Sequence, residues 1–133
     1  MDTTTAQKFL EDNFAPWILA LKPEVTAIDD TGATLRIPIT DDIMRGGGIV
    51  SGQTLATLAD TSMVIGCGGA AGEMLPVGTV ALDTQFLRPA SGDAIEAHAE
   101  ITRLGRSMVF ARCTLTALPS GKPVALATAT FAR

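Results

Sequence analysis

The chain has a single histidine, so no cluster of imidazoles is available to hold a metal, and no metal site is expected. Its two cysteines, Cys67 and Cys113, sit in apolar surroundings without CxxC spacing, which reads as two reduced, buried thiols. There is no tyrosine and only one tryptophan, so nothing marks an aryl-binding pocket. The net charge of −4 argues against general affinity for nucleic acid, and any anionic ligand must find a local basic patch. Met1-Asp2-Thr3-Thr4-Thr5 has neither a basic region nor a long apolar run behind it, so no secretory signal is expected. The stretch from Gly46 to Gly72 is poor in charge, but it is rich in glycine and interrupted by Asp60, which does not suit a membrane span. Gly46-Gly47-Gly48 is not followed by Gly-Lys-Ser/Thr, so it does not read as a phosphate loop. A soluble, cytoplasmic protein is expected.

What is present is a large apolar fraction, 47% of 133 residues, which suits one folded domain over residues 1–133 and some apolar surface buried in an oligomer. Residues 1–23 read as a helical segment packing on the rest. Thr3 to Phe14 is amphipathic, with Phe9, Leu10 and Phe14 on its apolar side, and Pro16 interrupts it. A hairpin follows, with Asp29-Asp30-Thr31-Gly32 as its turn and Leu35, Ile37 and Ile39 alternating with polar residues. After a loop over Asp41 to Gly48, a helix is expected from about Ser51 to about Ile65, ended by the glycines around Gly68. The remainder reads as strands: Thr79 to Leu87, with Val80, Leu82, Thr84 and Phe86 on one face; Ile95 to Ile101; Met108 to Leu118; and Pro123 to Phe131. Strands segregated from helices indicate an α+β fold, a curved antiparallel sheet wrapped around one apolar helix.

Asp60 is the only charged side chain between Arg45 and Glu73. On a helix that is apolar around most of its circumference, a carboxylate is costly unless it is paired, hydrogen-bonded or protonated. It is either a structural helix carboxylate bonded to Thr57, Thr61 or a strand, or a general base or nucleophile tuned by burial. Ser51-Gly52-Gln53 opens the helix. Ser51 is suited to cap it, and Gly52 would let a carbonyl approach free backbone N–H groups at the positive end of the helix dipole. Thr79 begins a long strand, where its hydroxyl either fills a β-branched position or orients a water. Gly52 and Asp60 are separated by about 12 Å along a helix, too far to serve one carbonyl from one chain. If both act, Gly52 of one chain must face Asp60 of another. His98 alternates with Glu96 and Glu100 and reads as a surface histidine. Arg88, Arg103 and Arg106 cluster at strand turns, where they are either solvated or available to phosphate groups.

Ser51-Gly52-Gln53, Leu58-Ala59-Asp60-Thr61, Phe86-Leu87-Arg88-Pro89-Ala90 with Gly92-Asp93, and Gly105-Arg106 together resemble the hotdog-fold acyl-CoA thioesterases of the phenylacetate (PaaI-like) group, over roughly residues 25 to 132. The resemblance implies edge-to-edge dimers, often paired into tetramers, that hydrolyse an acyl-CoA without metal or redox cofactor. It implies that Asp60 is the catalytic acid group, that Gly52 polarises the thioester carbonyl, and that Thr79 helps hold the attacking water. Many members carry His-Gly-Gly where this chain has Ser51-Gly52-Gln53, and some carry Asn where it has Arg45; Ser51 or Gln53 would then supply the polar group near the carbonyl. Arg88, Arg103 and Arg106 are the candidates for the CoA phosphates. The alternatives are an acyl-CoA-binding hotdog protein without activity, and a hydroxyacyl-thioester dehydratase or hydratase, which would need a histidine beside the acid.

Overall fold

A computed structural model describes all 133 residues. The chain begins with helix α1, Thr3–Asn13, capped by the Asp2 carboxylate, which accepts from the Thr5 N–H at 2.8 Å. Ala6 and Leu10, one turn apart, are its fully buried residues. Pro16 occupies the first turn of a one-turn helix α2, Pro16–Leu19, which leaves Trp17 exposed. Gln7 ties this segment to the body of the domain. Its amide donates to the Pro23 carbonyl at 3.1 Å and its oxygen accepts from the Val25 N–H at 2.8 Å.

Strands β1, Glu24–Asp29, and β2, Gly32–Pro38, form the expected hairpin. The Asp29 carboxylate closes its turn by accepting from the N–H groups of Thr31 and Gly32. The segment expected to be a loop holds a single 3-10 turn, Asp41–Ile43, and a small hairpin of β3, Met44–Arg45, and β4, Ile49–Val50. Helix α3, Gly52–Ala71, follows at once. Four long strands complete the chain: β5, Gly78–Phe86; β6, Ala94–Leu104; β7, Met108–Leu118; and β8, Lys122–Ala132. The main sheet is antiparallel throughout, in the order β1-β2-β6-β7-β8-β5.

The core lies between the concave face of this sheet and α3. Leu55, Leu58, Met63 and Ile65 of the helix pack with Ile95, Val109, Leu115 and Phe131 of the strands. Many inward positions are alanine, including Ala97, Ala99, Ala111, Ala127 and Ala129, so the helix nests close to the sheet. Cys67 and Cys113 are free and buried there, and desolvation pushes their thiols up to about 11 and about 12. The convex face is mixed, with Phe110 and Leu126 each 40% exposed among polar side chains. His98 lies on it, exposed, within 2.9 Å of the Thr34 hydroxyl, beside a Glu100–Arg112 ion pair.

Two departures from the sequence reading matter for function. Helix α3 does not stop near Ile65. It continues to Ala71, and Gly72 in the left-handed region ends it. Gly68 and Gly69 are packing devices rather than a stop signal: a Cβ at Gly68 would run into Met74, and one at Gly69 would lie 2.4 Å from the Asp29 carbonyl oxygen and 2.9 Å from that of Gly32. Nor is α3 covered all round. Gln53, Thr57, Asp60 and Val64, at helical spacing, form a stripe that is not fully buried.

Candidate active site

Strand β5 is an edge strand. It pairs with β8 alone, and none of its residues is buried. Val80 and Phe86 are 58% and 55% exposed, an apolar and unpaired edge that a lone chain leaves open. Strict alternation would put Val80 on the helix side with Leu82, Thr84 and Phe86. A bulge changes that. Thr79 opposes Phe131 and Ala81 opposes Thr130, so Val80 is the extra residue. Thr79 thereby shares a face with Leu82, Thr84 and Phe86, whose partners Ala129, Ala127 and Ala125 are buried. Bulges commonly re-aim one side chain in this way.

The re-aimed side chain is the one that meets Asp60. The Thr79 hydroxyl donates to the Asp60 carboxylate at 2.8 Å. Asp60 is half-buried on the open stripe of α3. Desolvation raises its pKa above the ordinary carboxylate value, and the Thr79 bond opposes that rise without cancelling it. The alternative partners Thr57 and Thr61 do not serve. The Thr57 hydroxyl bonds back to the Gln53 carbonyl at 2.8 Å, and no side-chain bond joins Thr61 to Asp60.

At the helix start, the Ser51 hydroxyl caps α3, accepting from the Thr54 N–H at 3.2 Å and lying 2.7 Å from the Thr54 hydroxyl. The N–H groups of Gly52 and Gln53 have no carbonyl of the preceding turn to bond, as in the first turn of any helix. Gly52 abuts the far end of β5: a Cβ there would lie 3.2 Å from Phe86 Cζ. A cavity of about 380 Å³ opens beside it, walled by Ile49, Leu55 and Phe86 and also lined by Arg45 and Arg88. Asp60 and Thr79 do not line this cavity.

One chain thus brings Asp60 together with Thr79, and Gly52 together with Phe86 and Arg88, at opposite ends of β5. Gln53 is exposed next to Gly52. Arg103 and Arg106 join neither group. They lie by the β6–β7 turn, at the end of the sheet where β5 begins. His98 is on the convex face, away from Asp60. Sequence reasoning missed Arg45 and Phe86 as neighbours of Gly52. It also missed the bulge, for which the residues around Val80 carry no local signal.

Residues 47–124, more than half of the chain, match the thioesterase superfamily, and the chain belongs to that family. Solved structures agree. A thioesterase family protein from Silicibacter pomeroyi superposes with a TM-score of 0.85 at 21% identity, covering 97% of this chain and 95% of that one. Zebrafish thioesterase superfamily member 2 gives 0.83 at 20%, covering 98% and 94%. A thioesterase from Haemophilus influenzae gives 0.84 at 16%, covering 99% and 90%. The fold is therefore the hotdog fold of that superfamily. No curated protein matches the sequence at a significant level. No helix is long and apolar enough to cross a membrane.

Proposed function

We propose that this protein hydrolyses an acyl-CoA thioester in a site built by two copies of the chain. The observation that carries the proposal is the Asp60–Thr79 pair, a half-buried carboxylate of raised pKa held by a hydroxyl on an unpaired strand edge. Its counterpart is the Gly52–Phe86 contact at the other end of the same strand. With Val80 as the extra residue, the midpoint of Thr79 and Phe86 falls at Asp83. A two-fold axis near that point, pairing β5 with β5 of a second copy, brings each Asp60–Thr79 pair to the other chain's Gly52. The same operation covers the apolar edge at Val80, Leu82 and Phe86, and lays the open stripes of the two α3 helices along each other. Two such dimers would make the tetramer common among PaaI-like enzymes.

In this arrangement the thioester carbonyl sits at the Gly52 N–H, where the helix dipole favours the developing oxyanion. Asp60 of the partner takes a proton from water as the water oxygen attacks, or it attacks directly to give a mixed anhydride that water then opens. Collapse of the tetrahedral intermediate expels CoA as thiolate, which takes up a proton. A carboxylate whose pKa is raised by burial is a stronger base for the first route. Ser51 acts through its cap, orienting the helix start, and Gln53 offers an amide near the carbonyl. Arg88 lies beside Gly52. Arg103 and Arg106 of the partner come to the same end of the dimer, where they are available to CoA phosphates. A hydratase reading finds no support, because the one histidine faces away from Asp60.

The test is complementation. Gly52→Val blocks one half of each site and Asp60→Asn the other, so each variant alone should be inactive on a panel of acyl-CoAs. Mixed after unfolding and refolding, they form heterodimers with one intact site, and about a quarter of wild-type activity should return. Failure to recover activity, with mixed dimers demonstrated, would remove the shared site. Tight binding of acyl-CoA by a wild type that never turns over would favour the non-catalytic reading.

A further inference from the structure

The cavity beside Gly52 is lined by two arginines, Arg45 and Arg88, and by no acidic residue. Neither takes part in an ion pair, and the one side-chain bond Arg45 makes is to the carbonyl of its neighbour Gly46. The chain as a whole carries an excess of acid, −4, so two arginines without an acidic partner on one cavity are not explained by average composition. Arginine forks suit a carboxylate or phosphate, which they bind bidentately.

We infer that Arg45 and Arg88 form a subsite for a carboxylate at the far end of a short acyl chain, so that the preferred substrate is the CoA monothioester of a dicarboxylic acid. The inference rests on the reading above only for the placement of the reacting carbonyl at the Gly52 N–H. Position distinguishes the two anions an acyl-CoA can offer. Gly52, Arg45 and Arg88 line one cavity of about 380 Å³, near the small end for a ligand site. The CoA phosphates are separated from the thioester by the whole pantetheine arm and would fall outside that space. A terminal carboxylate on a short acyl group falls within it. The partner's Asp60, which the proposed dimer brings near, already accepts from Thr79. One carboxylate would in any case leave a guanidinium unmatched.

Binding separates this inference from catalysis. The probes are non-hydrolysable ketone analogues, with methylene in place of the thioester sulfur, of succinyl-CoA and of the neutral, equal-sized succinamoyl-CoA. The same pair is made on pantetheine without phosphates. Calorimetry on the wild type should give about tenfold or more tighter binding of the carboxylate member of each pair, the effect of a charge-assisted hydrogen bond. Arg45→Gln and Arg88→Gln should each erase most of that preference, and Arg45→Lys should retain part of it. Both arginines are exposed, so the variants should fold, with melting temperature as the check. Equal affinity for the carboxylate and amide analogues would overturn the inference. So would an effect of Arg45→Gln that is equal for both members and vanishes on pantetheine, since the anion would then be a CoA phosphate. Carboxylate preference without hydrolysis of any acyl-CoA would remove the catalytic reading and leave this one standing, and hydrolysis without preference would do the reverse.

Discussion

Thr79 and Asp60 are joined across the gap between β5 and α3 by a 2.8 Å hydrogen bond that exists because Val80 is bulged out of the strand. The hydroxyl donates and the carboxylate accepts, so the bond favours the ionised acid against the desolvation that disfavours it. These opposed effects hold Asp60 above the ordinary carboxylate value yet still ionisable, as a base requires.

Thr79→Val removes the donor and leaves desolvation unopposed, so the Asp60 pKa rises further. The acid limb of the kcat/KM profile should move to higher pH, and kcat should fall about tenfold through lost positioning. Thr79→Ser should keep both near wild type. A pH–rate profile that is the same in Thr79→Val and wild type would show that the bond does not act on the reacting acid.

Asp60→Asn separates catalysis from stability. A proton-accepting base contributes about a hundredfold or more, so kcat should drop by at least that factor on any acyl-CoA the wild type turns over. Stability should move the other way at neutral pH. The folded pKa is raised, so protonation is favoured by folding; that stabilisation is fully present below the unfolded value of 3.8 and is lost as pH rises through the folded value. Above it, wild type carries a desolvated charge that Asn lacks. Thermal melts should therefore show the variant a few degrees more stable at pH 7, with the gap closing as pH falls toward 3.8. A gap that stays constant across that range would mean that the charge carries no folding penalty.

The sheet and its strands were legible because alternation over β6, β7 and β8 matches the buried and exposed faces directly. Asp60 was legible as the lone charge in a long apolar stretch, and the distance argument correctly kept it apart from Gly52 within one chain. The end of α3 was not legible. Gly66, Gly68 and Gly69 look like a helix stop, and only the position of the β1–β2 hairpin shows that Gly69 clears a path for its backbone. The open stripe on α3 showed in the sequence through Asp60 alone: Val64 is apolar whether it faces a sheet or a second copy of the chain, and Thr57 suits either setting. The facing of Thr79 depended on a bulge, a register shift that no periodicity records.

Gly69→Ala tests the packing role of those glycines. The added methyl would lie 2.4 Å from the Asp29 carbonyl oxygen, and backbone cannot swing aside as a side chain can. Overpacking of this kind should cost roughly 1–3 kcal/mol in denaturant unfolding. Gly68→Ala, whose new contact is the flexible end of Met74, should cost less. Equal and small losses would show that the hairpin relaxes freely.

Leu82→Arg tests the pairing of β5. Leu82 is exposed and lies beside the midpoint between Thr79 and Phe86, so a two-fold axis there sets two guanidiniums close together. Sedimentation should show monomer where the wild type gives dimer or tetramer, with far-UV circular dichroism retained. Activity should fall with the monomer fraction, as the proposed two-chain site requires. A fully active monomer would end the case for a shared site.

Gly52→Ala probes the carbonyl subsite with the smallest possible change. The new Cβ would lie 3.2 Å from Phe86 Cζ and 3.4 Å from Cε1, too close unless the ring gives way. The ring need give by only a few tenths of an ångström, so stability should change by no more than about 0.5 kcal/mol. The methyl and the displaced ring then occupy the approach to the Gly52 N–H, and kcat/KM should fall about tenfold, the equivalent of one neutral hydrogen bond. Phe86→Ala in the same background relieves the ring's share of the obstruction and should return part of that loss. Undiminished kcat/KM in Gly52→Ala would mean that the carbonyl does not approach the helix start, and the oxyanion role would have to pass to another donor.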